Sequence, residues 1–95
     1  LQKEEMKKIL SIMLKEISGR AKSQLDIKIN VTGAAKNFII DESYDKKFGA
    51  RPLRRKLQSM IEDELAGQIL IGNVKRGDTV KVGLENKKLK FEVVQ

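Results

Sequence analysis

Four basic side chains are concentrated in "FGARPLRRK", residues 48–56, around the only proline of the chain: Arg51, Arg54, Arg55 and Lys56. A proline is tolerated in the first turn of a helix but not in its interior, so the sequence predicts a helix that begins at Arg51 or Pro52. That turn presents unpaired N–H groups and the positive end of the helix dipole, which disfavours isolated cations. Arginine side chains that converge on such N–H groups favour an anion, and phosphate is the obvious candidate.

The same basic residues have a simpler interpretation. They can be solvated, or they can pair with carboxylates of a neighbouring element. Later turns of this helix carry Glu62, Asp63 and Glu64. Adjacent helical residues point about 100° apart, so Glu62 and Asp63 do not form a general acid/base pair, and a solvated face or salt bridges to another chain explain them better. The residues alone leave both interpretations of the basic segment open.

Composition limits the function classes. The chain has 95 residues, 40% of them apolar, which is enough for one domain, residues 1–95, with a single core. A formal net charge of +7 favours an anionic neighbour: nucleic acid, a membrane surface, a phosphorylated ligand or an acidic protein face. Because cysteine and histidine are both absent, we expect no disulfide, no zinc site and no imidazole base, and no residue is predicted to be a metal ligand. No secretory signal pattern or membrane-spanning apolar run is present, so we expect a cytoplasmic segment of a longer protein.

Hydrophobic spacing predicts the order of the elements. Apolar residues three or four apart predict a first helix from Met6 to Ile17, with Gly19 as its end. Strict alternation from Leu25 to Val31 predicts a half-buried strand, and Thr32 is a suitable N-cap for a short second helix.

The third helix and the end of the chain follow the same logic. The apolar face of the third helix is predicted to consist of Leu53, Leu57, Met60, Ile61 and Leu65. It ends near residue 66 or 67, or continues through Leu70 towards Gly72. Alternation in residues 79–84 and 88–93, with "ENKK" between them, predicts a hairpin. The predicted fold class is therefore α+β, with amphipathic helices packed on a small three-stranded sheet in the order helix, strand, helix, helix, hairpin.

One long segment carries a family resemblance. "YDKKFGARPLRRKLQSMIEDELAGQIL", residues 44–70, resembles the C-terminal small domain of Clp-type AAA+ ATPases. In that family Gly-Ala-Arg followed by Pro-Leu-Arg/Lys-Arg opens the helix that bears the sensor-2 arginine. The likeness extends to the leading helix, to "IKINVTGAAKNFI" and to "GDTVKVGL", in the family's order. The segment "RRKLQSMIEDELA" is most similar to the ClpC and ClpE branch and then to ClpB.

The resemblance implies a mechanism and a set of site residues. ATP with Mg²⁺ is expected in a cleft between a large domain, which supplies the phosphate loop, and this small domain, which closes over the nucleotide. Arg51 matches the sensor-2 arginine, the catalytic contribution of this domain in the assembled parent, and Gly49 and Ala50 are expected beside the nucleotide with it. Arg54 and Arg55 could support the nucleotide or contact the large domain of the adjacent subunit, and the subunit contact is favoured. Glu62 and Asp63 are expected at the same contact.

The resemblance also implies partners. These are the large AAA+ domain of the same chain, neighbouring subunits of a hexameric ring and protein substrates, with a ClpP-type protease and adaptors reached through other parts of the parent. The sequence contains no G-x-x-x-x-G-K-[ST] motif, so we expect the 95 residues alone to bind no nucleotide and to have no ATPase activity. The parent is expected to be an ATPase that unfolds proteins, and no membrane contact is expected.

Two rival interpretations come from the charge. The first is a basic nucleic-acid-binding domain, but the cations are spread along the chain, and aromatic residues make up only 4% of it and are not interleaved with basic ones. The second is a stand-alone scaffold domain with no link to a nucleotide. A steep salt dependence of DNA affinity would favour the first, and a parent without a phosphate loop would favour the second.

Overall fold

The computed structural model describes residues 2–44 and 51–94. The elements in chain order are α1 (Lys3–Arg20), a π-helical turn (Ala21–Leu25), β1 (Lys28–Val31), α2 (Gly33–Ser43), α3 (Arg51–Leu57), a π-helical segment (Gln58–Asp63), α4 (Glu64–Leu70), β2 (Thr79–Glu85) and β3 (Lys88–Val93). The predicted α+β class and the order helix, strand, helix, helix, hairpin are confirmed. None of the described helices is both long enough and apolar enough to cross a bilayer.

The first helix buries the predicted apolar stripe but does not end at Gly19. Its buried residues are Met6, Leu10, Leu14 and Ile17. Ala21, one turn after Ile17, is also buried, so the core contact continues through Gly19 and holds the following π-helical turn against the domain. The predicted end was therefore wrong because packing of Ala21 outweighs the modest helix penalty of one glycine.

The predicted strand begins later than expected. Leu25 belongs to the π-helical turn and is exposed, so it is not the first strand residue. Asp26 has a left-handed conformation with φ of 55°, and its N–H donates to the Lys22 carbonyl at 3.1 Å. This residue ends the helical turn and redirects the chain, after which Ile27 and Ile29 are buried as the alternation predicted.

The sheet is mixed, and β2 lies at its centre. β1 pairs with β2 in parallel, with Ile29 opposite Val80, and β3 pairs with β2 antiparallel, with Val82 opposite Phe91. The hairpin has a two-residue loop in which Asn86 and Lys87 have φ of 52° and 59°. Two successive left-handed residues are typical of a type I′ turn, whose twist matches that of the strands.

The segments α3 and α4 form one helix with the π-helical segment between them. Leu57, Asp63 and Glu64, at the junctions, all have right-handed helical dihedral angles. The helix buries a row of leucine and isoleucine residues at four-residue spacing, Leu53, Leu57, Ile61 and Leu65, while Met60 is half-buried. Of the two predicted ends, the later one is confirmed.

The second helix is short and begins at the predicted cap. The Thr32 Oγ1 accepts a hydrogen bond from the Ala35 N–H at 3.1 Å. This bond satisfies one of the free donors of the first turn. The helix buries Ile39 and Ile40 against the same core as the row in α3. The helices therefore share one core with Val80 and Val82 of the sheet.

Candidate functional site

The basic face of α3 is fixed by the apolar residues opposite it. Leu53 and Leu57 are buried in the core, whereas Arg51, Arg54 and Arg55 are exposed. Residues three and four apart lie on the same side of a helix, so these three arginines share one face. The structure thus brings the predicted sensor-2 residue and two of the predicted interface residues together at the described start of this helix.

The three exposed arginines form no ion pair with the described part of the chain. Within residues 2–44 and 51–94, no carboxylate lies within ion-pairing distance of Arg51, Arg54 or Arg55. Gly49 and Ala50, which were predicted to lie beside the nucleotide, are outside the described residues. Their position relative to Arg51 stays a prediction.

The predicted interface acids have different environments. Glu62 is half-buried, and its Oε1 accepts a hydrogen bond from Nη2 of Arg20 in α1 at 3.2 Å. Asp63 is exposed. Both lie in the middle of the helix that runs to Leu70, so they do not oppose the dipole at its C-terminal end. In this helix, only the basic residues of the first turns occupy positions that the helix dipole disfavours.

A small cleft separates α1 from α3 beside this face. Its lining includes Met13 and Arg20 from α1, and Arg54 and Glu62 from the facing helix. Its volume is about 60 Å³. Pockets that hold drug-sized ligands occupy roughly 300–1,000 Å³, so this cleft is too small for a nucleotide. A nucleotide that contacts these arginines would need a second binding surface, from another domain, to enclose it.

The described residues offer no obvious place for a metal ion. Within those ranges, no three of the Asp and Glu side chains come together as a candidate metal site. The donors collected at the start of α3 are guanidinium groups and helix N–H groups, which bind anions. The chemistry that this arrangement can perform is therefore recognition of a negatively charged group.

Two exposed apolar residues were not singled out from the sequence. Leu70 and Ile71 are 86% and 69% exposed at the end of α4. The segment that carries them is held firmly, since the Asn73 N–H donates to the Gln68 carbonyl at 3.0 Å and Val74 is buried. Helical spacing could have predicted this exposure. Leu70 and Ile71 lie roughly 100° and 200° around the helix from the half-buried Ile69, outside the apolar stripe.

Comparison with known families gives a direct result. The family model described as the C-terminal, D2-small domain of ClpB protein matches residues 1–82. The chain belongs to this Clp D2-small domain family. The match includes α1, α2, the arginine face of α3 and the first part of β2. The family that residues 44–70 indicated is thereby confirmed.

Individual relatives of this D2-small domain come from several Clp branches. It is 41% identical over 95 residues to the ATP-dependent Clp protease ATP-binding subunit ClpC of Staphylococcus saprophyticus, covering 100% of this chain and 12% of the relative. It is 45% identical over 92 residues to the ClpA homolog of Cyanidium caldarium, covering 96% of this chain and 11% of the relative. It is 41% identical over 87 residues to the chaperone protein ClpB of Oceanobacillus iheyensis, covering 92% and 11%. The D2-small domain therefore spans about a tenth of these relatives.

Proposed function

We propose that this D2-small domain closes over a nucleotide held by the large AAA+ domain of its parent chain and contributes Arg51 as the sensor-2 residue. The observation that carries the proposal is the exposed Arg51 at the described start of a helix that Leu53 and Leu57 anchor in the core. The Staphylococcus relative is named as an ATP-binding subunit, which supports the choice of nucleotide.

The chemistry of Arg51 suits a polyphosphate. A guanidinium group stays charged at all physiological pH values and presents several N–H donors in one plane. At a helix start it acts together with the positive end of the dipole, so both stabilise negative charge on phosphate oxygens. Gly49 and Ala50 precede it, and their small side chains would let the backbone approach the nucleotide closely. ATP would supply the phosphoryl group, and because the described residues contain no cluster of carboxylates for a metal ion, the ligands of Mg²⁺ would come from the large domain.

The rest of the arginine face would form an assembly surface. Arg54, Arg55 and Asp63 are exposed on the helix that carries Arg51. In this proposal they contact the large domain of the adjacent subunit in a hexameric ring, and the second carboxylate oxygen of Glu62 is available for the same contact. A nucleotide-dependent movement of the small domain would then pass to the next subunit as a rigid-body rotation.

The parent protein would use this coupling to unfold protein substrates in the cytoplasm. Delivery to a ClpP-type protease and binding of adaptors would depend on parts of the parent outside this domain. The relatives include an ATP-dependent Clp protease ATP-binding subunit and a chaperone protein, and both names describe proteins that act on other proteins.

The test is steady-state ATP turnover of the full-length parent with Arg51→Ala, together with nucleotide affinity and sedimentation of the ring. We expect turnover to fall by about tenfold or more with the ring intact, because an interaction made in the transition state is lost. Arg76→Ala is the matched control, since Arg76 is an exposed arginine in the loop between α4 and β2. Unchanged turnover and affinity in Arg51→Ala would contradict the proposal.

A further inference from the structure

β3 lies at one edge of the three-stranded sheet. β3 pairs with β2 on one side and, within residues 2–44 and 51–94, with no strand on the other. The Val94 N–H donates to the Thr79 carbonyl at 2.8 Å. Hydrogen-bonded pairs alternate along an antiparallel ladder, so the residues of β3 that turn their N–H and C=O groups away from β2 are Leu89, Phe91 and Val93.

This edge carries charged side chains on one face, at Lys88, Lys90 and Glu92, and apolar side chains on the other. It is six residues long, contains no proline, and points the side chains of Leu89, Phe91 and Val93 to the face that Val82 buries. Beside it lies a groove of about 400 Å³ whose apolar lining comes from Phe38, Met60, Leu89 and Phe91. An edge strand and an apolar groove therefore lie next to each other.

We propose that the partner of this edge is a second copy of the chain, joined by antiparallel β3–β3 pairing about a two-fold axis at Phe91. In this register Phe91 faces Phe91, and Leu89 faces Val93, so the free backbone groups of both strands meet. Between these pairs Lys90 of each copy faces Glu92 of the other. The charge complementarity is thus repeated by the symmetry.

Neighbouring registers place like charges opposite each other or lose the backbone pairing. A shift of one strand by two residues puts Lys90 opposite Lys90 in one direction, where Lys88 also faces Glu92, and puts Glu92 opposite Glu92 in the other. Like charges directly opposite each other in a sheet are destabilising. A shift by one residue would place the free N–H and C=O groups of one copy opposite residues whose own N–H and C=O groups already bond β2. Of these registers, the one centred on Phe91 pairs the free backbone groups without placing like charges opposite each other.

The same symmetry also covers the apolar groove. A two-fold axis perpendicular to the sheet keeps the helix-covered face of both copies on one side. The two grooves then meet beneath the paired Phe91 side chains. Their lining carries both signs of charge, with Glu42 and Glu64 as well as Lys56 and Lys87, so a second copy can match it. This contact is independent of the proposed nucleotide function, because it requires neither Arg51 nor a ligand.

The first test is sedimentation velocity of the 95-residue chain from micromolar to millimolar concentration near physiological ionic strength. We expect a monomer–dimer equilibrium. Glu92→Lys and Lys90→Glu each place like charges opposite across the axis and should raise the dimer dissociation constant about tenfold or more. Both side chains are exposed, but Lys90→Glu also breaks the 2.7 Å ion pair between Lys90 and Glu85, so circular dichroism and urea unfolding check that each variant keeps its fold. Monomeric wild-type chain at every concentration would overturn the proposal.

Mixing the two variants tests the register itself. One variant then presents two lysines to the two glutamates of the other, so the mixture should regain a heterodimer of near wild-type affinity. Amide hydrogen exchange gives a second measurement: Leu89, Phe91 and Val93 should gain protection as concentration rises, while Lys90 and Glu92, already bonded to β2, should not. A mixture that stays monomeric, or a dimer that leaves the Phe91 amide unprotected, would overturn β3 pairing.

Discussion

Arg20 and Glu62 connect the first helix to the helix that carries the basic face, with 3.2 Å between Nη2 and Oε1. Their side chains are 46% and 35% exposed. Ion pairs with this degree of solvent contact contribute about 0.2–1 kcal/mol. The pair is therefore a minor contribution beside the buried apolar side chains that pack the two helices together.

A double-mutant cycle of Arg20→Ala and Glu62→Ala measures this contribution. We expect a coupling free energy of about 0.2–1 kcal/mol, because water screens both groups. Urea unfolding of the 95-residue chain gives the four stabilities. Lys3 and Asp41, paired at 2.9 Å with more exposed side chains, form the control cycle. A coupling of about 3 kcal/mol would show instead that the Arg20–Glu62 pair is desolvated.

Two leucines in one helix should respond very differently to truncation. Leu53→Ala removes a buried side chain from the first turn after Arg51 and should cost about 2–5 kcal/mol. Leu70→Ala, at an exposed position of the same helix, should change stability by no more than about 0.5 kcal/mol. Thermal and urea unfolding provide the measurement. Equal losses for the two variants would mean that Leu53 does not anchor the helix.

The hairpin loop holds Lys87 in a strained backbone conformation that a substitution can relieve. Lys87 has φ of 59°, a left-handed conformation that costs a residue with a Cβ roughly 1–2 kcal/mol. Lys87→Gly removes this cost but loses some chain entropy on folding, so we expect a net gain of about 0.5–1 kcal/mol. Lys88→Gly, one residue later in β3, should destabilise the chain. A loss of stability with Lys87→Gly would contradict the type I′ assignment.

Asp26 should make stability depend on pH in the acid range. The hydrogen bond and the charge of Lys22, whose Nζ lies 2.8 Å from Oδ1, lower the pKa of the Asp26 carboxyl below its ordinary value of 3.8. A lowered folded-state pKa gives a stabilisation that is present above the unfolded-state pKa and is lost as pH falls through the folded-state pKa.

Asp26→Asn tests this dependence while keeping a residue type that tolerates the left-handed conformation. We expect the variant to be less stable than wild type at neutral pH and equally stable once the pH lies below the folded-state pKa of Asp26. Thermal unfolding across this range measures the difference. If the difference in stability between wild type and Asp26→Asn persisted unchanged into strong acid, the effect would not come from the carboxylate charge.

Much of the fold was predictable because its signals are local. The stripe from Met6 to Ile17, the Thr32 cap and the alternation of the hairpin strands each depend on neighbours within a few residues. The common face of Arg51, Arg54 and Arg55 follows equally from helical spacing. For these features the side-chain order is the physical cause, so the sequence was sufficient.

The tertiary structure decided the features that depend on distant contacts. Burial of Ala21 carries the helix through Gly19 and removes Leu25 from the strand. The partner of Glu62 lies 42 residues away in the chain, and no spacing rule identifies it. The order β1-β2-β3, which leaves β3 at an edge, depends on how the helices between β1 and β2 pack. Local periodicity determines which side of an element is apolar, but only packing between elements determines what that side meets.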